Sequence, residues 1–302
     1  MSIILDGKLV SDEINSEIIT EIKYIKEKYK SIPKVVIVSA GNDPVLNVYA
    51  RAKERKFIEI GFSFEHKKIE EEFSTKKIID LIKQLNDDNT VNGIIIEMPL
   101  PKVIDSEKVI NSIDPDKDVD CLHPFNVGNI VTGRDNFLKP CTSYGIMKLM
   151  EYYKINTERK HVIIINRSNL IGKPIMSLLV QNKKNANATV TICHSKTKNL
   201  EEIILLADII VVAVGKANFI KSYMIKKGAI VIDAGINKIK LNENDKKYKI
   251  VGDVDYDSVK DIASFITPVP GGVGPMNVAI LMKNILTAYK LQNNLLDRNK
   301  NE

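Results

Sequence analysis

The stretch HVIIINRSNLIGKP, residues 161–174, decides the fold. Val162 to Ile165 form an unbroken β-branched run, which passes into a polar turn and then into Ile171, Gly172, Lys173 and Pro174. This is the pattern of a buried parallel strand feeding a helix. Such a turn presents free backbone N–H groups and the positive end of a helix to a phosphate, and glycine allows close approach. The stretch departs from G-x-G-x-x-G, because Asn166 stands where the first glycine is expected and only Gly172 remains. By itself the loop reads equally as a nucleotide site or as an ordinary turn.

Downstream, ATVTIC (188–193), DIIVVAV (208–214) and AIVIDAG (229–235) are three further buried-strand runs. Helical stretches at 171–183, 199–206 and 221–227 separate the four strands, which predicts an α/β, doubly wound, Rossmann-like domain. The second strand ends in CHSKT, which places Ser195 and Lys196 beside the turn carrying Arg167 and Ser168. A cation with hydroxyls, where an acidic residue would otherwise grip a ribose 2′-OH, favours a 2′-phosphate and hence NADP over NAD. The plainer alternative is a set of surface polar residues after a strand.

Upstream, SDEINSEIITEIKYIKEKY (11–29) places Ile14, Ile18, Ile22 and Ile25 on one stripe of an amphipathic helix, with Ser11 as its expected cap. KVVIVS is a strand. A helix is expected from about 44 to 60, opened by Asp43 and Pro44 and closed by Gly61. FSFEHKKI, STKKIIDLIKQLND and NGIIIE continue as strand, helix and strand, completing a second α/β unit of the βαβαβ type. Residues 105–144 are rich in Asp, Pro and Asn and read as ordered loop, and a last helix is expected from about 276.

The 302 residues are 44% hydrophobic, enough for two domains and too long for one comfortable core. The net charge of +6 is spread in lysines interleaved with glutamates, a solvated surface with at most a mild pull on anionic small molecules. There is no nucleic-acid signature. Cys121, Cys141 and Cys193 form no C-x-x-C pair, and the four histidines show no metal-ligand spacing beside them, so no metal is expected. The N-terminus lacks a targeting pattern, and the longest apolar run is broken by Asp208. A soluble cytoplasmic protein with no membrane partner is expected.

One segment raises a chemical question. VNGIIIEMPLPKV (91–103) is a strand that reads as buried and ends on a carboxylate, Glu97, followed by two prolines. An ionised group there is costly unless a cation meets it. Tyr49 and Lys53 stand at i and i+4 on the helix predicted over 44–60 and project from one face. A lysine in that pattern is more often a solvated surface charge. Its use in proton transfer or in polarising a substrate needs partial burial and a chosen neighbour.

The segments YARAK (49–53), MPLP, DKDVD, HPFNVG, KPCT, RSNLIGKP, CHSKT, VIDAGIN, GDVD and ITPVPGGVGPMNVAIL occur in this order. In that order they resemble the methylenetetrahydrofolate dehydrogenase/methenyltetrahydrofolate cyclohydrolase family over about residues 3 to 290. The resemblance implies oxidation of 5,10-methylenetetrahydrofolate by NADP and hydrolysis of the methenyl product to 10-formyltetrahydrofolate in one cleft. It implies Lys53 as the catalytic lysine with Glu97 and Asp120 beside it, and Tyr49 flanking the folate ring system. Asp120 would bond the pterin end, with Pro99, Leu100, Pro270, Gly271 and Gly272 lining the substrate pocket. Asn166, Arg167, Ser168, Gly172, Ser195 and Ile236 would hold the cofactor. The resemblance also implies a folate domain over 1–144 completed by the C-terminal helix 276–302, an NADP domain over 145–275 with the cleft between them, and a homodimer.

Four positions depart from the family pattern. Glu97 stands where a glutamine is usual, in QLPLP. A neutral amide bonds a lysine without fixing its charge, whereas a carboxylate stabilises the ammonium form. Weak or absent cyclohydrolase activity is therefore an alternative expectation; the rival is a protonated Glu97 that mimics the amide. Cys121 replaces the glycine usual after DVD, and Asn277 the threonine usual after GPM. Asn166 replaces a turn glycine; asparagine tolerates the positive φ such a turn asks for better than most residues, so the loop is expected to survive with somewhat weaker cofactor binding. A dehydrogenase of the same fold acting on another small substrate, and a non-catalytic NADP- or folate-binding protein, are the remaining readings.

Overall fold

The computed structural model describes residues 2–41, 44–70, 74–134, 138–240 and 248–296, with the side chains of residues 44–50 and 52 outside the description. Two compact units are present, each assembled from separate stretches of chain.

The three-strand unit comprises Glu13–Lys139 and Ile280–Glu302. Its sheet is parallel, in the order β3 (Ser63–Ile69), β2 (Lys34–Ala40), β4 (Gly93–Ile96). Val35 to Val38 on the central strand are fully buried, because crossover helices cover both faces of a parallel sheet. The crossovers are α2 (Pro44–Ile60) and α3 (Thr75–Asp87). The helix α3 turns Ile78, Ile82 and Leu85 inward at helical spacing, and Ser74 caps it by accepting from the Lys77 N–H. Its other end is closed by Lys117, a buried lysine whose Nζ donates to the carbonyls of Leu85 (2.9 Å), Asn86 (2.6 Å) and Asp88 (2.8 Å). A cation there also meets the negative end of the helix dipole.

The six-strand unit comprises Met1–Asp12 and Pro140–Ala279. Its sheet runs β1 (Ile3–Ile4), β11 (Phe265–Ile266), β8 (Ile230–Asp233), β7 (Ile209–Val212), β5 (His161–Ile165), β6 (Thr189–Cys193), all parallel. The chain steps from β5 to β6 on one side and then to β7 on the other, so the topological switch lies at the carboxyl end of β5. The four expected strands are present, and two-residue strands too short for any periodicity extend the sheet. A hairpin of β9 (Asn237–Lys240) and β10 (Tyr248–Val251) stands apart as a two-stranded sheet.

Several expectations change. Residues 1–12 pack with the six-strand unit, because β1 pairs with β11. The first helix, α1 (Gly7–Tyr29), starts four residues before Ser11. Asp6 accepts from the Leu9 N–H, while the Ser11 hydroxyl donates back to the Lys8 carbonyl inside the first turns. The stretch 105–144 holds α4 (Ser106–Asn111) and α5 (Pro124–Val131), and α6 (Cys141–Tyr152) begins within it. The first two are capped by Asp105 and His123 and are too short to show a period. The crossovers of the six-strand unit include α7 (Gly172–Leu179) and α8 (Leu200–Ile204), whereas 221–227 yields only a three-residue 3₁₀ turn, Ser222–Met224. A one-turn helix, α9 (Tyr256–Val259), and the long α10 (Val273–Gln292) complete the chain. Asp43, expected to open α2, lies outside the described residues. Among the described residues no helix is long and apolar enough to cross a membrane.

Candidate active site

Glu97 follows β4 directly, and its N–H donates to the Val38 carbonyl as the last rung of the ladder. The strand thus carries a 5% exposed carboxylate to its carboxyl end. The partner is Lys53 of α2: its Nζ lies 2.8 Å from Glu97 Oε2, and its side chain is 28% exposed against 5% for Glu97. The buried acid is thus neutralised by a cation that still reaches solvent, which answers the question raised by the sequence. The Tyr49 backbone is helical, but its side chain lies outside the described residues. Met98–Pro99 is a cis peptide, Pro99 is exposed and Leu100 packs into the core beside Ile104.

Asp120 belongs to the same electrostatic neighbourhood. Burial pushes its carboxyl up to about 6; the Lys53 charge pulls it down, while Asp118 and Glu97 add to the rise. Asp118 serves the loop itself, accepting from the N–H groups of Leu122 (3.1 Å) and His123 (2.8 Å) and from Asn126 Nδ2 (2.8 Å). Cys121 has φ of +58°, a left-handed conformation that favours glycine, and its buried thiol donates to the Leu138 carbonyl at 3.3 Å. The glycine usual at this position therefore meets a backbone requirement, and the Cys121 thiol is directed at a carbonyl.

His66 has no signature in the sequence. This half-buried residue on β3 shares a 2.8 Å hydrogen bond between Nε2 and Ser39 Oγ. Burial lowers its pKa, and the Glu97 charge opposes that shift. Only the pairing of β3 with β2 brings it near, through the register Ile37 with His66.

In the six-strand unit, β5 and β6 end level, with Ile165 opposite Cys193. Arg167, Ser195 and Lys196 are exposed just beyond those ends, and a cationic edge with a hydroxyl fits a 2′-phosphate. Asn166 does not take a positive φ. Its side chain bridges the turn instead: Oδ1 accepts from the N–H groups of Ser168 (2.8 Å) and Gly172 (2.9 Å) and from the Ser168 hydroxyl (2.7 Å), while Nδ2 donates to the Ala213 carbonyl. Gly172 is required for close approach, since a Cβ there would lie 2.2 Å from the Asn166 carbonyl oxygen. Asn166, Ser168 and Gly172 thus shape the turn from within.

Ile236 follows β8 and is 62% exposed. With Val269, Pro270, Gly271 and Gly272 it lines a cavity of about 150 Å³, so a residue expected at the cofactor and three expected at the folate meet in one pocket. Gly271 has φ of +110°, and its carbonyl accepts from the Lys8 N–H at 3.0 Å. Gly7 packs so tightly on this loop that a Cβ would lie 1.8 Å from the Gly272 carbonyl oxygen. Asn277 accepts from the Thr142 hydroxyl at 3.0 Å, so the amide holds the KPCT segment.

Comparison with known proteins places the chain in a family. Residues 5–120 match the family described as tetrahydrofolate dehydrogenase/cyclohydrolase, catalytic domain, and residues 140–293 match its NAD(P)-binding domain. The chain is 48% identical over 290 residues to the bifunctional protein FolD of Acetivibrio thermocellus, covering 96% of this chain and 97% of that protein. It is 42% identical over 293 residues to the FolD of Chlorobium phaeobacteroides, covering 97% and 99%. Among solved structures it is similar to the bifunctional enzyme FolD from Campylobacter jejuni, with a TM-score of 0.91 and 38% identity over 98% of this chain and all of that one. It is also similar to the Trypanosoma brucei methylenetetrahydrofolate dehydrogenase-cyclohydrolase complexed with NADP cofactor and inhibitor, with a TM-score of 0.89 and 32% identity over 96% and 98%. The strand-end acid, its lysine and the switch-point turn are therefore features of a protein that belongs to the tetrahydrofolate dehydrogenase/cyclohydrolase family.

Proposed function

We propose that the chain oxidises 5,10-methylenetetrahydrofolate with NADP and hydrolyses the 5,10-methenyl product to 10-formyltetrahydrofolate, with Lys53 at the centre of both steps. The observation that carries this reading is the 2.8 Å contact between the half-buried Lys53 and the buried Glu97, in a chain of this family. NADP, when bound, accepts the hydride. The chain's own residues bind, orient and manage charge. Lys53 presents an ammonium to the reacting one-carbon unit, Asp120 bonds the pterin end, and Tyr49 packs on the ring system. Pro99, Leu100, Pro270, Gly271 and Gly272 shape the substrate pocket. Arg167 and Ser195 hold the cofactor phosphate, Ile236 packs on it, and Asn166, Ser168 and Gly172 form the turn it approaches. The folate chemistry belongs to the three-strand unit, Glu13–Lys139 with Ile280–Glu302, and NADP binding to the six-strand unit. From the family resemblance we also place the enzyme in the cytoplasm as a homodimer, which light scattering on the eluted protein tests.

Glu97 favours a second reading of the hydrolytic step. Activating water needs a Lys53 nitrogen free to face it, and the Glu97 carboxylate engages that nitrogen at 2.8 Å. The dehydrogenase step survives and the cyclohydrolase step is slowed. Assay of NADP reduction and of methenyl hydrolysis from pH 6 to 10, beside Glu97→Gln, separates the readings. Faster hydrolysis in the variant at neutral pH supports the slowed step, and equal rates there remove it. Absence of any NADP reduction by the natural chain removes the main proposal.

A further inference from the structure

The Asp253 carboxylate lies outside every role assigned above, yet among the described residues of the six-strand unit it accepts four hydrogen bonds. It is fully buried and accepts from three successive backbone N–H groups after β7: Val214 (2.5 Å), Gly215 (3.0 Å) and Lys216 (2.9 Å). It also accepts from Asn237 Nδ2 at 2.8 Å. Three consecutive N–H groups aimed at one point form an anion-binding concavity. Here the protein fills it with its own carboxylate, so these amides are not available to a phosphate.

A second carboxylate holds the first in place. Asp233, the last residue of β8, accepts from the N–H groups of Asp253 (3.1 Å), Val254 (2.8 Å) and Gly235 (2.9 Å). Both seats demand glycine. A Cβ on Gly235 would lie 2.2 Å from Asp253 Cγ, and one on Gly252 would lie 1.9 Å from Asp233 Oδ2. Ile236 sits between two tethered neighbours, since the Gly235 N–H is bonded to Asp233 and the Asn237 side chain to Asp253. This explains how a large apolar side chain remains 62% exposed at the mouth of the Ile236 and Gly271 cavity. Both tethered segments, 214–216 and 235–237, leave the carboxyl ends of adjacent strands, where open α/β sheets bind their ligands.

We propose that Asp253 is a positioning residue for the dinucleotide: its carboxylate sets the loop Val214–Lys216 and the turn bearing Ile236 in the conformation that NADP meets. The inference rests on the reading of this unit as the NADP site. It is tested on the full chain with Asp253→Asn, whose amide N–H₂ faces backbone donors, and with Asn237→Ala, which removes only the side-chain tether. NADP and tetrahydrofolate affinities are measured separately by calorimetric titration, and backbone amide exchange is followed in the unloaded protein. Expected are NADP binding weakened at least tenfold in Asp253→Asn and about threefold in Asn237→Ala, folate affinity within twofold of the natural chain, and faster exchange confined to 214–216 and 235–237. Natural NADP affinity in both variants overturns the proposal, as does an equal fall in both affinities or exchange accelerated throughout the unit. Should Asp253→Asn fail to fold, Asn237→Ala decides by the same criteria. Failure of the natural chain to bind NADP overturns the underlying reading instead.

Discussion

Glu97 and Asp233 occupy matching places in the two sheets. Each stands at the carboxyl end of a parallel strand and each is almost wholly buried, at 5% and 2% exposure. They differ in what satisfies them. Glu97 meets a partly exposed cation on a helix, whereas Asp233 meets three backbone N–H groups. A carboxylate held by fixed peptide dipoles stabilises one backbone conformation and has nothing to exchange with a ligand. One paired with a lysine at the edge of solvent has a side-chain partner that still reaches water. Position on the sheet is common to both, and the chemistry of the partner separates the proposed reacting centre from an architectural one.

The comparison breaks most readily at Lys53. Lys53→Met is expected to lower methenyl hydrolysis by about 10²–10⁴-fold, the range for removal of a proton-transferring group. NADP reduction, followed by absorbance, falls with it. Next in size is Asp233→Asn, whose amide offers one acceptor where three N–H groups converge. Chemical denaturation should show a loss of about 1–3 kcal/mol, while cyclohydrolase activity per folded molecule changes little. If Asp233→Asn instead abolished the chemistry and left stability intact, the division between the two acids would be wrong. Glu97→Gln comes third: hydrolysis at neutral pH is expected to rise about tenfold, equivalent to about 1.4 kcal/mol, with the fold unchanged because the amide still accepts from Lys53.

The smallest effect is one of pH. Burial raises the carboxyls of Asp233 and Asp120 to about 6 from an ordinary 3.8. Between those values the folded chain keeps protons that the unfolded chain has released. Their contribution to stability is therefore full below about pH 4 and declines as pH rises toward 6. Unfolding midpoints measured from pH 4 to 7 should show a shallower decline in Asp233→Asn than in the natural chain. Asp120→Asn should in addition flatten the pH dependence of folate binding near pH 6, which Asp233→Asn leaves unchanged.

The sequence by itself determined the strand and helix periods, and with them both parallel sheets, since β-branched runs such as Val162–Ile165 and Val35–Val38 have no stable place except a sheet covered on both faces. It also determined that Glu97 needed a cation and that Lys53 stood on a helix, because burial cost and helical spacing are local properties. Tertiary structure alone decided the rest. β1 joins the six-stranded sheet through a two-residue pairing with β11. His66 comes near the Glu97 charge through strand register. Asn166 bridges its turn with a side chain and without a positive φ. Asp253 reaches back some forty positions to hold the loop after β7. Asn166 Oδ1 finds its partners within six residues, so its departure is a choice between two local conformations; the other three have no local signature, because each depends on how distant stretches of chain pack, and sequence spacing carries no record of that choice.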